Sequence, residues 1–249
     1  MKPAPFRYHR AQSVADALAP LASDPDAKVL AGGQSLIPLL NLRLVRPTQL
    51  VDINEIADLQ RIYERNGGVA IGAAVRQHDA EESELVQRLC PLIPQGLKLV
   101  GNLVIRNRGT VCGSIAHADP ASELSAILLA LGGHVVVRSK DRERAIPAED
   151  LFRGLFETSL QSDEIITEVW FPAARDRFGI EEECRRHGDF AMAGVAAAHG
   201  RLVVFGVGSS PTIVDPDDPT KGLRPLADLE ASPEFKLHLV RVLAKKVMG

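Results

Sequence analysis

The sequence predicts an α+β or mixed α/β fold, in which helices and strands alternate without the strict strand–helix–strand rhythm of a doubly wound sheet. Two further observations fit this class. The chain has 249 residues, enough for one large domain or two modest ones, each with its own core. Its composition, 45% hydrophobic and 24% charged, is ordinary for a globular protein, and no internal repeat is visible.

The first part of the chain predicts short elements separated by glycine turns. Ser13 and Asp16 form a capping box that opens a helix running through Leu21, because the serine oxygen can accept from an orphan amide. The elements predicted next are a strand at 28–31, a helix at 36–44, a strand at 50–53, a hairpin of 61–64 with 69–73, and helices at 79–88 and 93–99.

The second part begins with a glycine-rich stretch, residues 101–118, which we predict to be irregular and polar. Residues 175–177 are a predicted boundary, since they are polar and follow Pro172. The other predicted elements are an apolar helix at 121–131, a strand at 135–138, a charged turn at 140–144, a strand at 165–171, a hairpin of 195–198 with 202–207, a loop at 215–222 and a basic amphipathic helix at 233–248.

Charge and cysteine content exclude several classes of function. The net charge of −3 favours neither nucleic acid nor an anionic membrane. No apolar run approaches the length of a membrane span, and the first residues lack an apolar signal core, so we expect a cytoplasmic protein. Cys90, Cys112 and Cys184 form no C-x-x-C pair, so any metal redox centre is expected on another chain.

The first motif that can carry chemistry is Ala-Gly-Gly-Gln-Ser at residues 31–35. A predicted strand runs into two glycines and then a helix, which allows backbone amides to approach a ligand closely. Amides in that position suit a pyrophosphate. The alternative is an ordinary strand–helix turn, and the five residues alone leave both interpretations open. The motif is neither G-x-G-x-x-G nor a P-loop.

The second motif, residues 105–120, combines small residues, hydroxyls and two arginines. Thr110 and Ser114 can hydrogen-bond phosphate oxygens or ring carbonyls; a turn-rich crossover with solvated arginines is the alternative. His117, Asp119 and Glu123 resemble a metal-ligand set, but Pro120 interrupts their spacing, so polar roles near a cofactor are favoured. No hydrolase motif and no calcium loop is found.

Together these segments resemble the flavin-carrying medium subunit of the xanthine dehydrogenase/carbon monoxide dehydrogenase family of molybdenum hydroxylases. The resemblance spans nearly the whole chain, and the two loops in order are more specific than either alone. The matching segments are AGGQSLIPLLNLRL at 31–44, Arg46-Pro47, LVDIN at 50–54, IRNRGTVCGSIAHADPASE at 105–123, DEII at 163–166 and RRHGDFA at 185–191.

The resemblance implies a two-subdomain FAD-binding fold of the PCMH/vanillyl-alcohol-oxidase type at residues 1–172, divided into 1–57 and 58–172. Residues 173–249 would form a small, shortened C-terminal α+β domain with a sheet and helices. By resemblance, residues 31–35 and 110–114 hold the FAD pyrophosphate and ribityl region, and Ile165 or Ile166 lies against adenine. The cofactor-binding residues so predicted are Ala31, Gly32, Gly33, Gln34, Ser35, Ile105, Gly109, Thr110, Val111, Cys112, Gly113, Ser114, Asp119, Glu123, Ile165 and Ile166.

The resemblance implies an electron-transfer role, with no acid–base residue and no metal on this chain. Electrons would pass from a molybdenum cofactor on a large subunit, through a small iron–sulfur subunit with [2Fe-2S] clusters, to FAD and an outside acceptor. A dimer of heterotrimers is expected. The alternatives are a stand-alone FAD oxidase of the related fold and a scaffold that has lost FAD.

Three departures from the family pattern bear on these expectations. Cys112 stands where the family usually has glycine, so its side chain either crowds the cofactor or points away from it. Ile180 replaces an aromatic residue, which puts ring stacking on the flavin in doubt. The link from residue 211 to residue 229 is short where the family usually has additional helix.

Overall fold

The computed structural model describes residues 1–175 and 177–249, and their strands form four sheets. The first sheet is parallel, in the order β1-β3-β2, and the second is a five-stranded sheet in the order β4-β5-β10-β6-β7. β8 pairs with β9, and the last sheet has the order β11-β12-β13-β14. The strands are β1 (Arg7–Arg10), β2 (Lys28–Leu30), β3 (Gln49–Asp52), β4 (Ile62–Arg65), β5 (Gly68–Gly72), β6 (His134–Arg138), β7 (Glu143–Pro147), β8 (Phe152–Gly154), β9 (Glu157–Thr158), β10 (Ile165–Pro172), β11 (Gly179–Glu183), β12 (Ala193–Ala198), β13 (Arg201–Phe205) and β14 (Thr212–Val214).

Ten α-helices connect and cover these sheets in the described part of the chain, so the predicted α+β class is confirmed. None of the described helices is both long and apolar enough to cross a membrane. The helices are α1 (Val14–Ser23), α2 (Leu36–Asn41), α3 (Gln77–Glu82), α4 (Glu84–Leu89), α5 (Leu92–Leu97), α6 (Leu103–Arg106), α7 (Val111–His117), α8 (Glu123–Leu131), α9 (Ala148–Leu151) and α10 (Pro233–Met248).

Helix α8 lies at the centre of the main core. Its side chains from residue 124 to residue 131 are all buried, which fits a helix that is apolar on every side. It packs against α5 and α7 on one side and against β12 and β13 of the last sheet on the other. The position of α8 therefore joins the second sheet and the last sheet through one continuous core.

The last sheet is covered on both faces, and its strands alternate accordingly. Ala196 and Phe205 face the main core, whereas Val195 and Val204 belong to a second apolar cluster with Val240 of α10. Ser232 caps α10 by accepting a hydrogen bond from the Phe235 amide at 3.3 Å, and Pro233 occupies the first turn. The predicted bounds of this helix and the predicted capping of α1 by Ser13 are both confirmed.

Several predicted elements need correction. The single helix expected at 79–88 is two helices, because Ser83 is extended (ψ 117°) and its hydroxyl accepts from the Val86 amide to start α4. The stretch 101–118 is not irregular: Asn102 and Thr110 cap α6 and α7. The strands β1, β7, β8, β9, β11 and β14 were not predicted. The boundary expected at 175–177 includes Asp176, which lies outside the described residues.

Candidate functional site

Two glycine loops meet edge to edge between the first and second sheets. The first glycine loop, residues 31–35, follows β2 and leads into α2, and the second glycine loop, residues 105–114, contains the turn into α7. A methyl group on Gly32 would overlap the Arg108 carbonyl oxygen and lie 2.7 Å from the Gly109 Cα. The close approach of the two loops therefore requires glycine at position 32.

A network of polar side chains connects the two loops by hydrogen bonds. The Asn54 side-chain amide donates to the Ala31 carbonyl at 2.9 Å and to Asp52 Oδ1 at 2.6 Å. The Arg76 guanidinium donates to Asn54 Oδ1 at 2.7 Å and to the Arg108 carbonyl at 2.8 Å. Arg76 thus connects both loops through one planar fork of donors. Its pKa is lowered by burial and by the nearby Arg108.

The first glycine loop carries backbone donors without acceptors. Gly33 has a φ of +76°, a conformation that favours glycine, in the turn between β2 and α2. Among the described residues, the amides of Gly33, Gln34 and Ser35 have no acceptor. Gly33 and Gln34 line a cleft of about 320 Å³, which is also lined by Asp52, Asn54 and Arg108. Such a set of amides beside an arginine attracts an anion.

The second glycine loop is held by its own hydroxyl and by α3. Thr110 Oγ1 accepts from the Gly113 amide at 3.0 Å, and the Gln77 amide donates to the Gly109 carbonyl at 2.8 Å. Gln77 is 4% exposed, and within the described chain its side-chain oxygen has no hydrogen-bond partner. Ser114 lies 3.1 Å from Ser122 through their hydroxyl oxygens, which fixes the loop against the start of α8.

The Cys112 side chain points away from the loop surface. The thiol is 2% exposed, and its sulfur lies 3.5 Å from the Ile71 carbonyl oxygen of β5. Burial raises the pKa of this thiol well above its usual value. Of the two orientations that the sequence left open, the side chain therefore adopts the one directed into the core, whereas its backbone amide is without an acceptor in the described residues.

Two carboxyl residues of the predicted set, Asp119 and Glu123, lie at the turn between α7 and α8. Asp119 caps the turn before α8 by accepting from the Ala121 amide at 2.9 Å, and Glu123 begins α8. Burial raises the pKa of Glu123 to about 8, with repulsion from Glu182 and Asp119 adding to the effect. Burial also raises the pKa of Glu182 on β11 to about 7. His117, 4.0 Å from Asp119, has a pKa lowered by burial.

The remaining predicted residues lie elsewhere. Ile165 and Ile166 are buried in the main core at the start of β10 and do not line the cleft at the first glycine loop. Ile105 lies in α6 at the edge of the second loop. Ile180 is 9% exposed and packs beside Gly96, where a methyl group would lie 3.6 Å from the Ile180 Cδ1. No described group of three or more His, Cys, Asp or Glu residues can hold a metal ion.

Sequence reasoning missed Arg76, Asn54 and Glu182. Asn54 carries a local signal, since it follows a strand in Asp-Ile-Asn and its amide meets Asp52 two residues earlier. Arg76 carries none, because both of its acceptors are distant in the chain. Glu182 is one of three consecutive glutamates, and only the direction of β11 selects it.

Comparison with known proteins agrees with this geometry. A family profile described as "FAD binding domain in molybdopterin dehydrogenase" matches residues 4–174. The chain is 39% identical over 224 residues to the caffeine dehydrogenase subunit beta of Pseudomonas sp. (strain CBB1), covering 85% of this chain and 76% of that protein. It is 35% identical over 281 aligned residues to the 6-hydroxypseudooxynicotine dehydrogenase complex subunit alpha of Paenarthrobacter nicotinovorans. That alignment covers 100% of this chain and 95% of that protein.

A solved structure matches along the whole chain. It is a carbon monoxide dehydrogenase from Hydrogenophaga pseudoflava that lacks the Mo-pyranopterin moiety of its molybdenum cofactor. The TM-score is 0.96 at 31% sequence identity, and the match covers 100% of this chain and 97% of that one. The similarity therefore extends over both the glycine-loop region and the last sheet.

Proposed function

The chain belongs to the family of FAD-binding domains in molybdopterin dehydrogenases, and from this premise we propose that it is the FAD-carrying electron-transfer subunit of a heteromeric molybdenum hydroxylase. FAD is its cofactor. The observation that carries the proposal is the meeting of two glycine loops, both with backbone amides that have no acceptor among the described residues. No acid–base catalyst is needed for electron transfer.

The residues at the loops fit FAD. Its pyrophosphate needs several donors and a positive neighbour, and these are supplied by the amides of Gly33, Gln34, Ser35 and Cys112 together with Arg108. The Ser114 and Thr110 hydroxyls add donors suited to the ribityl chain. We extend the cofactor-binding assignment to all sixteen residues named by resemblance, with Ile165 and Ile166 assigned to the adenine side.

When bound, FAD supplies one- and two-electron chemistry that no side chain offers. The chain binds and orients it. Arg76 and Asn54 hold the two loops at a fixed separation, so little reorganisation is needed on binding. Glu123 and Asp119, both partly buried, would border the site with polar groups.

We propose that this subunit assembles with two further subunits that carry the other redox centres. The two relatives named above are subunits of dehydrogenase complexes, and the solved structure concerns a molybdenum enzyme. A small iron–sulfur subunit would deliver electrons to FAD, and a large subunit would hold the molybdenum cofactor, in a dimer of heterotrimers. The assembly would be cytoplasmic, and FAD would pass electrons to an external acceptor.

We also propose a division of the chain into functional units. Residues 1–57 contain the first sheet, residues 58–172 the second, and the two would clasp FAD between them. Residues 173–249 would form the C-terminal domain, a sheet covered by α10. The family profile ends at residue 174, close to this boundary.

The test is the visible absorption spectrum of the purified full chain, followed by release and identification of the chromophore. We expect flavin bands and released FAD, either as purified or after incubation with FAD. Absence of flavin after that incubation would contradict the cofactor assignment. Turnover of an organic substrate by the chain alone would contradict the subunit role, since the substrate is expected to react on another chain.

A further inference from the structure

Helix α8 and strand β11 face each other across a seam between the second-sheet region and the last sheet. A methyl group on Gly96 of α5 would collide with Ile127 of α8 and touch Ile180 of β11, so these two side chains lie at one point of the seam. Glu123 precedes Ile127 by four residues on the same helix face. Glu182 follows Ile180 by two residues on the same strand face.

The two carboxyl groups therefore face each other from opposite sides of the seam. One oxygen of Glu182, Oε2, is fully buried and has no hydrogen-bond partner in the described residues. The negative charge of Glu182 acts on Glu123, and burial disfavours ionisation of both groups. Two carboxylates cannot both ionise cheaply at such a place, so the carboxyl pair retains a proton at neutral pH.

The described charged groups around the carboxyl pair do not neutralise it. Helix α5 and strand β12, packed on the seam, carry no ionisable side chain. The turn after α7 contributes His117, whose pKa is lowered by burial, and Asp119, which adds negative charge. Three charged groups on neighbouring elements are paired away from the seam: Arg201 of β13 with Glu149 of α9, Lys246 of α10 with Glu181, and Glu168 of β10 with Arg65. Arg241 and Lys245 of α10 are exposed to solvent.

We propose that Glu182 is a positioning residue for Glu123: across the seam it keeps a proton on the Glu123 carboxyl, which then presents a hydrogen-bond donor to FAD. This inference rests on the proposed function, since it assigns a protonation state to one wall of the same site. An ionised Glu123 would be an acceptor only, and it would add negative charge beside a cofactor that already carries a negative pyrophosphate. Raising the pH releases the Glu123 proton to solvent and removes the donor.

The protonation state is testable on the full chain without FAD. Infrared spectra report the carbonyl band of a protonated carboxyl, and at neutral pH ordinary Asp and Glu side chains are ionised and silent. We expect a band at pH 7 that disappears as the pH rises through about 8. In Glu182→Gln the remaining band should titrate at lower pH, because the like charge is gone. Glu183→Gln, a matched change at an exposed neighbour, should leave the band unchanged.

Either of two results would overturn the proposal at this stage. One is the absence of any protonated carboxyl band at pH 7 in the unmodified chain. The other is a band that titrates identically in the unmodified chain and in Glu182→Gln. Both results are independent of FAD, so they would leave the proposed cofactor role intact.

The effect on the cofactor is tested by the FAD dissociation constant between pH 6 and pH 9, measured by flavin fluorescence. We expect affinity in the unmodified chain to fall about tenfold between pH 7 and pH 9, as one donor is lost. Glu123→Gln keeps a donor that cannot titrate, so its affinity should be nearly constant over this range. A fall in Glu123→Gln equal to that of the unmodified chain would overturn the proposal, whereas no FAD binding by any variant would overturn the proposed function instead.

Discussion

Two sides of the proposed FAD site differ in how their polar groups are paired. The loop side consists of the two glycine loops with Asn54, Asp52 and Arg76, and the seam side consists of Glu123 and Glu182. On the loop side, three polar side chains, Asn54, Asp52 and Arg76, form a connected network with distances of 2.6 to 2.9 Å. On the seam side, Glu123 and Glu182 face each other, and the described residues give the inner oxygen of Glu182 no partner.

The difference teaches what each side contributes. A satisfied network is rigid and insensitive to pH near neutrality, which suits the backbone amides that we propose hold the pyrophosphate. An unsatisfied carboxyl pair has pKa values moved to about 7 and 8, so its charge changes within the physiological range. Substitutions on the loop side should therefore change FAD affinity at every pH, and those on the seam side only over a defined pH window.

The largest effect is expected from Gly32→Ala. The new methyl group would overlap the Arg108 carbonyl and press on the Gly109 Cα, and backbone atoms cannot move aside as a flexible side chain can. We expect the free energy of unfolding to fall by about 3 kcal/mol and FAD binding to be lost. Thermal denaturation and a fluorescence titration with FAD measure the two effects.

Gly154→Ala is the matched control for this substitution. A methyl group there meets only the Glu157 Oε2 atom at 3.4 Å, an ordinary contact, and the site is far from both loops in the chain. It should leave FAD affinity unchanged. If Gly32→Ala binds FAD as well as the control, the close approach of the two loops is not what organises the site.

The next effect is expected from Arg76→Lys, which keeps the charge and removes the fork. A lysine cannot reach Asn54 Oδ1 and the Arg108 carbonyl together, so one acceptor on the loop side loses its partner. We expect a loss of about 1.5 kcal/mol in stability and about a tenfold weaker FAD affinity, equal at pH 6 and pH 9. Isothermal titration with FAD at both pH values measures this.

Arg61→Lys provides the comparison for Arg76→Lys. Arg61 pairs with Asp58 at the surface, where both side chains are more than half exposed, and such pairs contribute little. Arg61→Lys should change neither the stability of the chain nor its affinity for FAD. An Arg76→Lys effect that appears only at high pH would mean that the loop side titrates, and the contrast between the two sides would fail.

A substitution on the seam side, Glu182→Gln, should have a smaller effect, and it should raise stability at high pH rather than lower it. The folded chain holds the protons of the Glu123–Glu182 pair more tightly than the unfolded chain, so stability is present at acidic pH and is lost as pH rises through about 7 to 8. Glu182→Gln removes the part of this loss that comes from Glu182 and from its repulsion of Glu123, and leaves the part due to the burial of Glu123. Its melting temperature should exceed that of the unmodified chain by about 2–4 °C at pH 8.5 and match it at pH 5.

The outcome at pH 8.5 separates titration from packing. A purely structural glutamate would make Glu182→Gln less stable at both pH values, because a native contact is lost. Glu183→Gln, on the opposite face of the same strand, should be neutral at both. A melting temperature for Glu182→Gln below that of the unmodified chain at pH 8.5 would contradict the claim that the ionised Glu123–Glu182 pair destabilises the folded chain.

The same contrast explains what the sequence could predict. The bounds of α10 follow from local signals, since Ser232 caps it, Pro233 starts it and the apolar residues recur at helical spacing. The first glycine loop was found because two glycines between a strand and a helix are a local pattern. Helices α6 and α7 were missed because their caps, Asn102 and Thr110, stand in a stretch rich in other turn-forming residues.

Long-range pairing could not be predicted from the sequence. Strand β10 lies between β5 and β6, so nearly 100 residues separate partners that hydrogen-bond directly. The roles of Arg76 and Asn54 depend on that folding, since their partners belong to loops more than twenty residues away. The role of Glu182 depends on β11, a strand that was not predicted, which decides which glutamate of the three faces the seam.

The smallest effect is expected from Cys112→Ala, which tests whether the loop side works through backbone or side chains. The thiol lies in the core beneath the loop, next to the Ile71 carbonyl, and only the residue's amide is left without an acceptor in the described chain. Truncation should cost about 1 kcal/mol of stability and change FAD affinity less than twofold at any pH. Cys184→Ala, at a partly exposed thiol, should change neither. Tighter FAD binding by Cys112→Ala would mean that this thiol crowds the cofactor, and that the loop side depends on side-chain volume as well as on its amides.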